Sequence, residues 1–205
     1  MERKPRMRRL MDAAEEMLRG ISEAMGGLDL SQVEGLLEAL LLARSEGRRV
    51  LVVGAGRSGL VGKAFAMRLM HLGFDIYVMG ETITPAVGEG DLVLIISGSG
   101  STALPVTVAG MARRLGARVL AVTSHPGSPL GTTADHVVLV PGRERKAREE
   151  EYHSRQMLGE HEPLAPMGTM FEGSCMVFLD AVIAELMDRL EMSEEEMRRK
   201  HASIE

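Results

Sequence analysis

The sequence predicts an α/β protein: a three-layer α-β-α sandwich built on a five-stranded parallel sheet, with additional helices at the N-terminus. Three observations point there. Five short runs, Arg49–Val53, Asp75–Met79, Leu92–Ser97, Arg118–Thr123 and His136–Val140, are β-branched or apolar and are bounded by Gly, Pro, Ser or Asp. They are apolar on both faces instead of alternating, as strands covered from both sides are. Helical segments fill several of the gaps between them, which implies parallel connections.

Taken in order, Met7, Leu10, Met11, Ala14, Met17, Leu18 and Ile21 recur at helical spacing until Gly26-Gly27 stops the run. Ser31-Gln32-Val33-Glu34 reads as a capping box that opens a second helix to about Ser45, with Val33, Leu36, Leu37, Leu40 and Leu41 on one face. Residues 1–46 are therefore expected to pack on the same domain as 47–205. A helix is expected from Ser58, after the first strand. Residues Pro141–Pro166, with their RERKAREEE run, read as an exposed connection. Gly168–Leu190 is a long apolar helix, and Ser193-Glu194-Glu195-Glu196 caps a short charged one ending near His201.

Composition narrows the function. The chain has 205 residues, 24 basic and 29 acidic, for a net charge of −5. That charge lacks the positive field of a general nucleic-acid binder. A single cysteine, Cys175, excludes an internal disulfide framework or a multi-cysteine zinc site, and is expected to be buried and inert. The N-terminal residues carry charge throughout with no apolar leader core, and no apolar run is long enough to span a bilayer. The expectation is a cytoplasmic protein without nucleic-acid or membrane partners. His136, His153 and His161 lack any paired metal-ligand spacing, so no metal is expected. More apolar helix surface is present than one sheet of this size can cover, which predicts a homodimer or homotetramer.

Two glycine-rich turns carry the chemistry. Gly54-Ala55-Gly56-Arg57-Ser58-Gly59 follows the first strand and opens a helix, matching G-x-G-x-x-G. Such a turn admits an anion to backbone amides at a helix N-terminus. Glu81, beyond the second strand, keeps a dinucleotide reading open, and a tight turn with no ligand is the plainer alternative. Ser97-Gly98-Ser99-Gly100-Ser101-Thr102 follows the third strand and again leads into a helix. Hydroxyls can simply cap a helix, yet this many around two glycines exceed what a cap requires and suit the terminal oxygens of a monophosphate. Ser58, Ser97, Ser99 and Thr102 are the expected phosphate ligands. An ATP-type loop is absent, because Gly62-Lys63 is followed by Ala64. Turns after the first and third strands flank the point where strand order reverses, so one ligand can touch both.

Together these turns resemble the sugar isomerase (SIS) domain, a flavodoxin-like phosphosugar-binding fold. Met67-Arg68-Leu69-Met70-His71-Leu72-Gly73-Phe74, Gly80-Glu81-Thr82-Ile83-Thr84-Pro85 and Pro166-Met167-Gly168-Thr169-Met170-Phe171-Glu172 are more narrowly similar to the 6-phospho-3-hexuloisomerase family, as is the ending Arg198-Arg199-Lys200-His201. The resemblance implies interconversion of D-arabino-hex-3-ulose 6-phosphate and fructose 6-phosphate through a cis-enediol, without metal or organic cofactor. It implies Glu172 as the base and His201 as its partner in moving protons. It also implies substrate contacts from Gly56, Arg57, Ser58, His71, Glu81, Ser97, Gly98, Ser99, Ser101 and Thr102. Read without it, Thr169-x-x-Glu172 is a capping box and His71 a helix-end histidine favoured by the dipole. His125, in the turn after the fourth strand, is a weaker candidate for the same crevice. Isomerases of arabinose 5-phosphate or sedoheptulose 7-phosphate, and a non-catalytic phosphosugar-sensing module, are the competing functions.

Overall fold

In the computed structural model, which describes residues 7–142, 164–166 and 168–199, all five predicted strands form. They are β1 (Val50–Gly54), β2 (Ile76–Val78), β3 (Leu92–Ile96), β4 (Arg118–Thr123) and β5 (His136–Leu139). Every pairing is parallel, and the order across the sheet is β2-β1-β3-β4-β5. The three central strands are almost wholly buried, which is why their sequences carry no alternation. The edge strands β2 and β5 are only half-buried.

Successive strand residues feed two different cores. Val50, Val52, Leu92, Leu94, Ile96, Leu120 and Val122 face α2 (Leu30–Ser45), α3 (Arg57–His71) and the long helix α6 (Thr169–Arg189). Phe65 of α3 and Phe178 of α6 fill that layer, compensating for the scarcity of aromatics. Leu51, Val53, Val93, Ile95, Val119 and Ala121 face α4 (Ala103–Arg114) and the short α5 (Pro129–Thr133) in a thinner second layer. Right-handed crossovers place α3 and α4 on opposite faces, because the chain leaves β1 in one direction and β3 in the other. The N-terminal helix α1 (Arg8–Gly26) packs on α6, and the short α7 (Glu194–Arg199) buries Met197 in the first layer.

Local signals decide the helix ends, sometimes differently from the sequence reading. The expected box at Ser31 does not cap α2. Asp29 is the N-cap, and its carboxylate accepts both the Ser31 N–H at 2.9 Å and the Ser31 hydroxyl at 2.6 Å. A carboxylate is the stronger acceptor, so the serine becomes a donor to it. Helix α3 begins at Arg57, one residue before the expected Ser58, behind Gly56 at φ 57°. The Ser193 box does form, with Ser193 N–H to Glu196 Oε2 at 2.8 Å and Glu196 N–H to Ser193 Oγ at 3.3 Å. Cys175 is fully buried on α6; burial, then the nearby Glu172 charge, pushes its thiol far up. None of the described helices is long and apolar enough to cross a membrane. His201 and most of the 141–166 connection lie outside the described residues.

Candidate active site

Helices α3 and α4 begin over the carboxyl ends of β1 and β3, and the start of α6 closes the space above them. A cleft of about 340 Å³ results, large enough for a small-molecule ligand. Ser58 enters it from the first turn, Ser97, Gly98, Ser99 and Thr102 from the second, and Gly168, Phe171 and Glu172 from α6. Neither α3 nor α4 has an acidic residue of its own in its first turn, so both helix dipoles present positive ends on this side.

The second turn does not use its hydroxyls as caps. Thr102 occupies the N-cap position of α4, yet its side chain makes no capping bond. Its Oγ1 lies 3.4 Å from Ser99 Oγ, which in turn accepts the Ser101 N–H at 3.3 Å. The hydroxyls are thus gathered at the cleft. Gly98 is required by a close approach, since a Cβ there would stand 2.8 Å from the Phe171 ring that lies across it.

Glu172 is not a cap either. Helix α6 starts behind Gly168, held in the left-handed region at φ 87°, and among the described residues no side chain caps it. The Glu172 carboxylate instead accepts a short hydrogen bond from Arg57 Nε, joining the first turn of α6 to the first turn of α3. Only 13% of the Glu172 side chain is exposed, against 64% for Arg57. A mostly buried carboxylate is therefore fixed in orientation beside the hydroxyl-lined turn.

Of the residues singled out from sequence, Ser58, Ser97, Gly98, Ser99, Thr102 and Glu172 come together in this cleft. Gly56, Arg57 and Ser101 stand next to it, as the cap of α3, the anchor of Glu172 and the donor to Ser99. Two others lie elsewhere. Glu81 is exposed and pairs with Lys63 Nζ at 2.5 Å. His71 is buried in the last turn of α3, about 21 Å along the helix from Arg57. There it lines a separate cleft of about 410 Å³ with Arg68, Asp180 and Arg198. His136 is structural, its Nε2 lying 2.7 Å from the Gln32 carbonyl. Sequence reasoning missed Phe171 as a wall of the cleft and Thr123, whose buried hydroxyl bonds the Gly98 carbonyl. Among the described residues, no three His, Cys, Asp or Glu side chains gather as a metal site.

Fold and cleft together define a doubly wound α/β protein with an anion-suited crevice where strand order reverses. Comparison with known proteins names the family. The chain belongs to the SIS domain family, which it matches over residues 43–152. It is 41% identical over 157 residues to the 3-hexulose-6-phosphate isomerase of Bacillus subtilis, covering 77% of this chain and 80% of that protein. A Methanococcus jannaschii crystal structure, from which a molecular function of 3-hexulose-6-phosphate isomerase was inferred, superposes with a TM-score of 0.74 at 32% identity, covering 95% of this chain and 98% of the other. Similarity to the arabinose 5-phosphate isomerase of Pseudomonas aeruginosa is narrower, 36% identity over 123 residues, covering 53% of this chain and 37% of that protein.

Proposed function

We propose that this protein interconverts D-arabino-hex-3-ulose 6-phosphate and fructose 6-phosphate. The observation that carries the reading is the placement of Glu172: a carboxylate freed from capping, oriented by Arg57, and facing the same cleft as Ser97, Ser99 and Thr102. The hydroxyl turn and the α3 and α4 N-termini hold the phosphate, and binding energy from that remote group positions the reacting carbons. Glu172 removes the proton from C2 of the 3-ulose. The electron pair forms the C2–C3 double bond of a cis-enediolate, and the C3 carbonyl becomes an oxyanion. Return of the proton to C3, with the carbonyl re-formed at C2, gives the 2-ulose. Arg57 supplies positive charge beside the carbons where negative charge develops.

The resemblance adds His201, outside the described residues, as the group that transfers a proton between the enediol oxygens. His71 lines a different cleft of its own chain, so any contact it makes with substrate bound beside Glu172 requires a second copy. Exposed Leu10 and Leu18 on α1 and Val177 on α6 support a homo-oligomer. A coupled assay following fructose 6-phosphate formation from the 3-hexulose phosphate, run with and without chelator, tests the reading. The expected result is turnover unaffected by chelator. Preferred turnover of arabinose 5-phosphate or sedoheptulose 7-phosphate would reassign the substrate, and phosphosugar binding without turnover would make the protein a sensor.

A further inference from the structure

The carbonyl of Gly98 collects three donors from one short segment. Ser124 N–H reaches it at 3.1 Å, Thr123 Oγ1 at 3.2 Å and His125 Nδ1 at 3.0 Å. A carbonyl oxygen only accepts, so Nδ1 of His125 carries the proton in this contact. The His125 N–H in turn donates to Thr123 Oγ1 at 3.2 Å, and Thr123 is fully buried at the end of β4. Three consecutive residues thereby clamp one peptide group of the serine turn.

The clamp has a consequence on the other side of that peptide. In a trans peptide the C=O and the following N–H point in opposite directions. Strand β3 lies between β4 and β1, so a Gly98 carbonyl drawn toward the β4 loop turns the Ser99 N–H toward β1, where the cleft opens. Among the described residues no acceptor meets that N–H. A peptide rotated the other way would present carbonyl oxygen to the cleft and repel an anion.

We infer that His125 is a positioning residue for phosphate: through the Gly98 carbonyl it aims the Ser99 N–H at the ligand's anionic group without touching the ligand. The inference rests on the phosphate-binding reading of this cleft. Because Ser124 and Thr123 keep two of the three bonds, loss of His125 weakens binding and does not abolish it.

The test uses the full chain with His125→Ala and His125→Asn, measuring kcat and KM for fructose 6-phosphate and the Kd of inorganic phosphate by calorimetry. His125→Ala should raise KM and the phosphate Kd in parallel, by about three- to tenfold, the range of one lost neutral hydrogen bond, with kcat within about twofold. His125→Asn, whose side-chain amide can donate to the same carbonyl, should restore both to within about twofold of the original. Unchanged phosphate affinity in His125→Ala, a loss confined to kcat, or failure of the Asn variant to restore affinity would overturn the inference. A protein that binds phosphate but turns over no hexulose phosphate would sink the isomerase reading alone, since the phosphate Kd still decides the role of His125. One that binds no phosphate would sink the phosphate reading and the inference with it.

Discussion

The turns after β1 and β3 open helices in the same way and put their side chains to different uses. In the first, glycine serves packing: a Cβ on Gly59 would stand 2.8 Å from the Gly54 carbonyl oxygen, so strand and helix meet there without side chains between them. Its most prominent side chain, Arg57, leaves the turn to grip Glu172 on α6. In the second turn the backbone is held from outside, by the β4 loop, and the hydroxyls of Ser99 and Thr102 stay uncommitted to capping. Under the proposed function, one turn orients the carboxylate while the other offers donors to the phosphate. A glycine pattern by itself does not distinguish these roles, and the destination of each polar group does.

Substitutions can break this division, beginning where the effect is largest. Glu172→Gln keeps the shape of the residue and removes the proposed base. Because the glutamine amide oxygen can still accept from Arg57 Nε, the variant should melt near the original temperature while kcat falls at least about 10²-fold in the coupled assay. Gly59→Ala should show the opposite pattern. Its methyl meets backbone that cannot yield cheaply, so thermal denaturation should show a loss of roughly 1–3 kcal/mol. Ser99→Ala should leave the melting temperature alone and raise KM about tenfold, with inorganic phosphate a weaker competitor. A Ser99→Ala variant that melts early with unchanged KM would give the two turns the same structural role.

The smallest effect lies far from both turns and serves as a control. Arg189 holds Glu34 in a two-bond pair, at 2.5 and 2.6 Å, and this keeps the Glu34 carboxyl below its ordinary value of 4.5. A folded-state value below the unfolded one gives stability that is present above about pH 4.5 and is lost as pH falls through the folded value. Glu34→Gln should therefore flatten the dependence of melting temperature on pH below 4.5, slightly because the pair is exposed, and leave kcat at neutral pH unchanged.

Strand runs such as Leu92–Ser97 and Arg118–Thr123 were legible in the sequence to within a residue, because burial on both faces leaves an unbroken apolar signature. The hydroxyl turn was legible for a similar reason, as its residues are contiguous. Competition between neighbours was harder to read. Asp29 and Ser31 are both good caps, and only the geometry shows the carboxylate taking the serine as a donor. Glu172 was ambiguous because its partner lies 115 residues away, and a local motif offered the simpler explanation. The approach of His125 to the Gly98 carbonyl has no local signature, since it depends on the β3–β4 register.

Under the proposed function, Glu172 takes a proton from carbon in a phosphosugar held by the second turn. Proton NMR of fructose 6-phosphate incubated with the protein in D₂O, following the hydrogen on C3, tests this step directly. The expected result is that the original protein replaces this hydrogen with deuterium while inorganic phosphate inhibits the exchange, and that Glu172→Gln slows it at least about 10²-fold. Exchange by Glu172→Gln at the original rate, or isomerisation by that variant at the original rate, would contradict it.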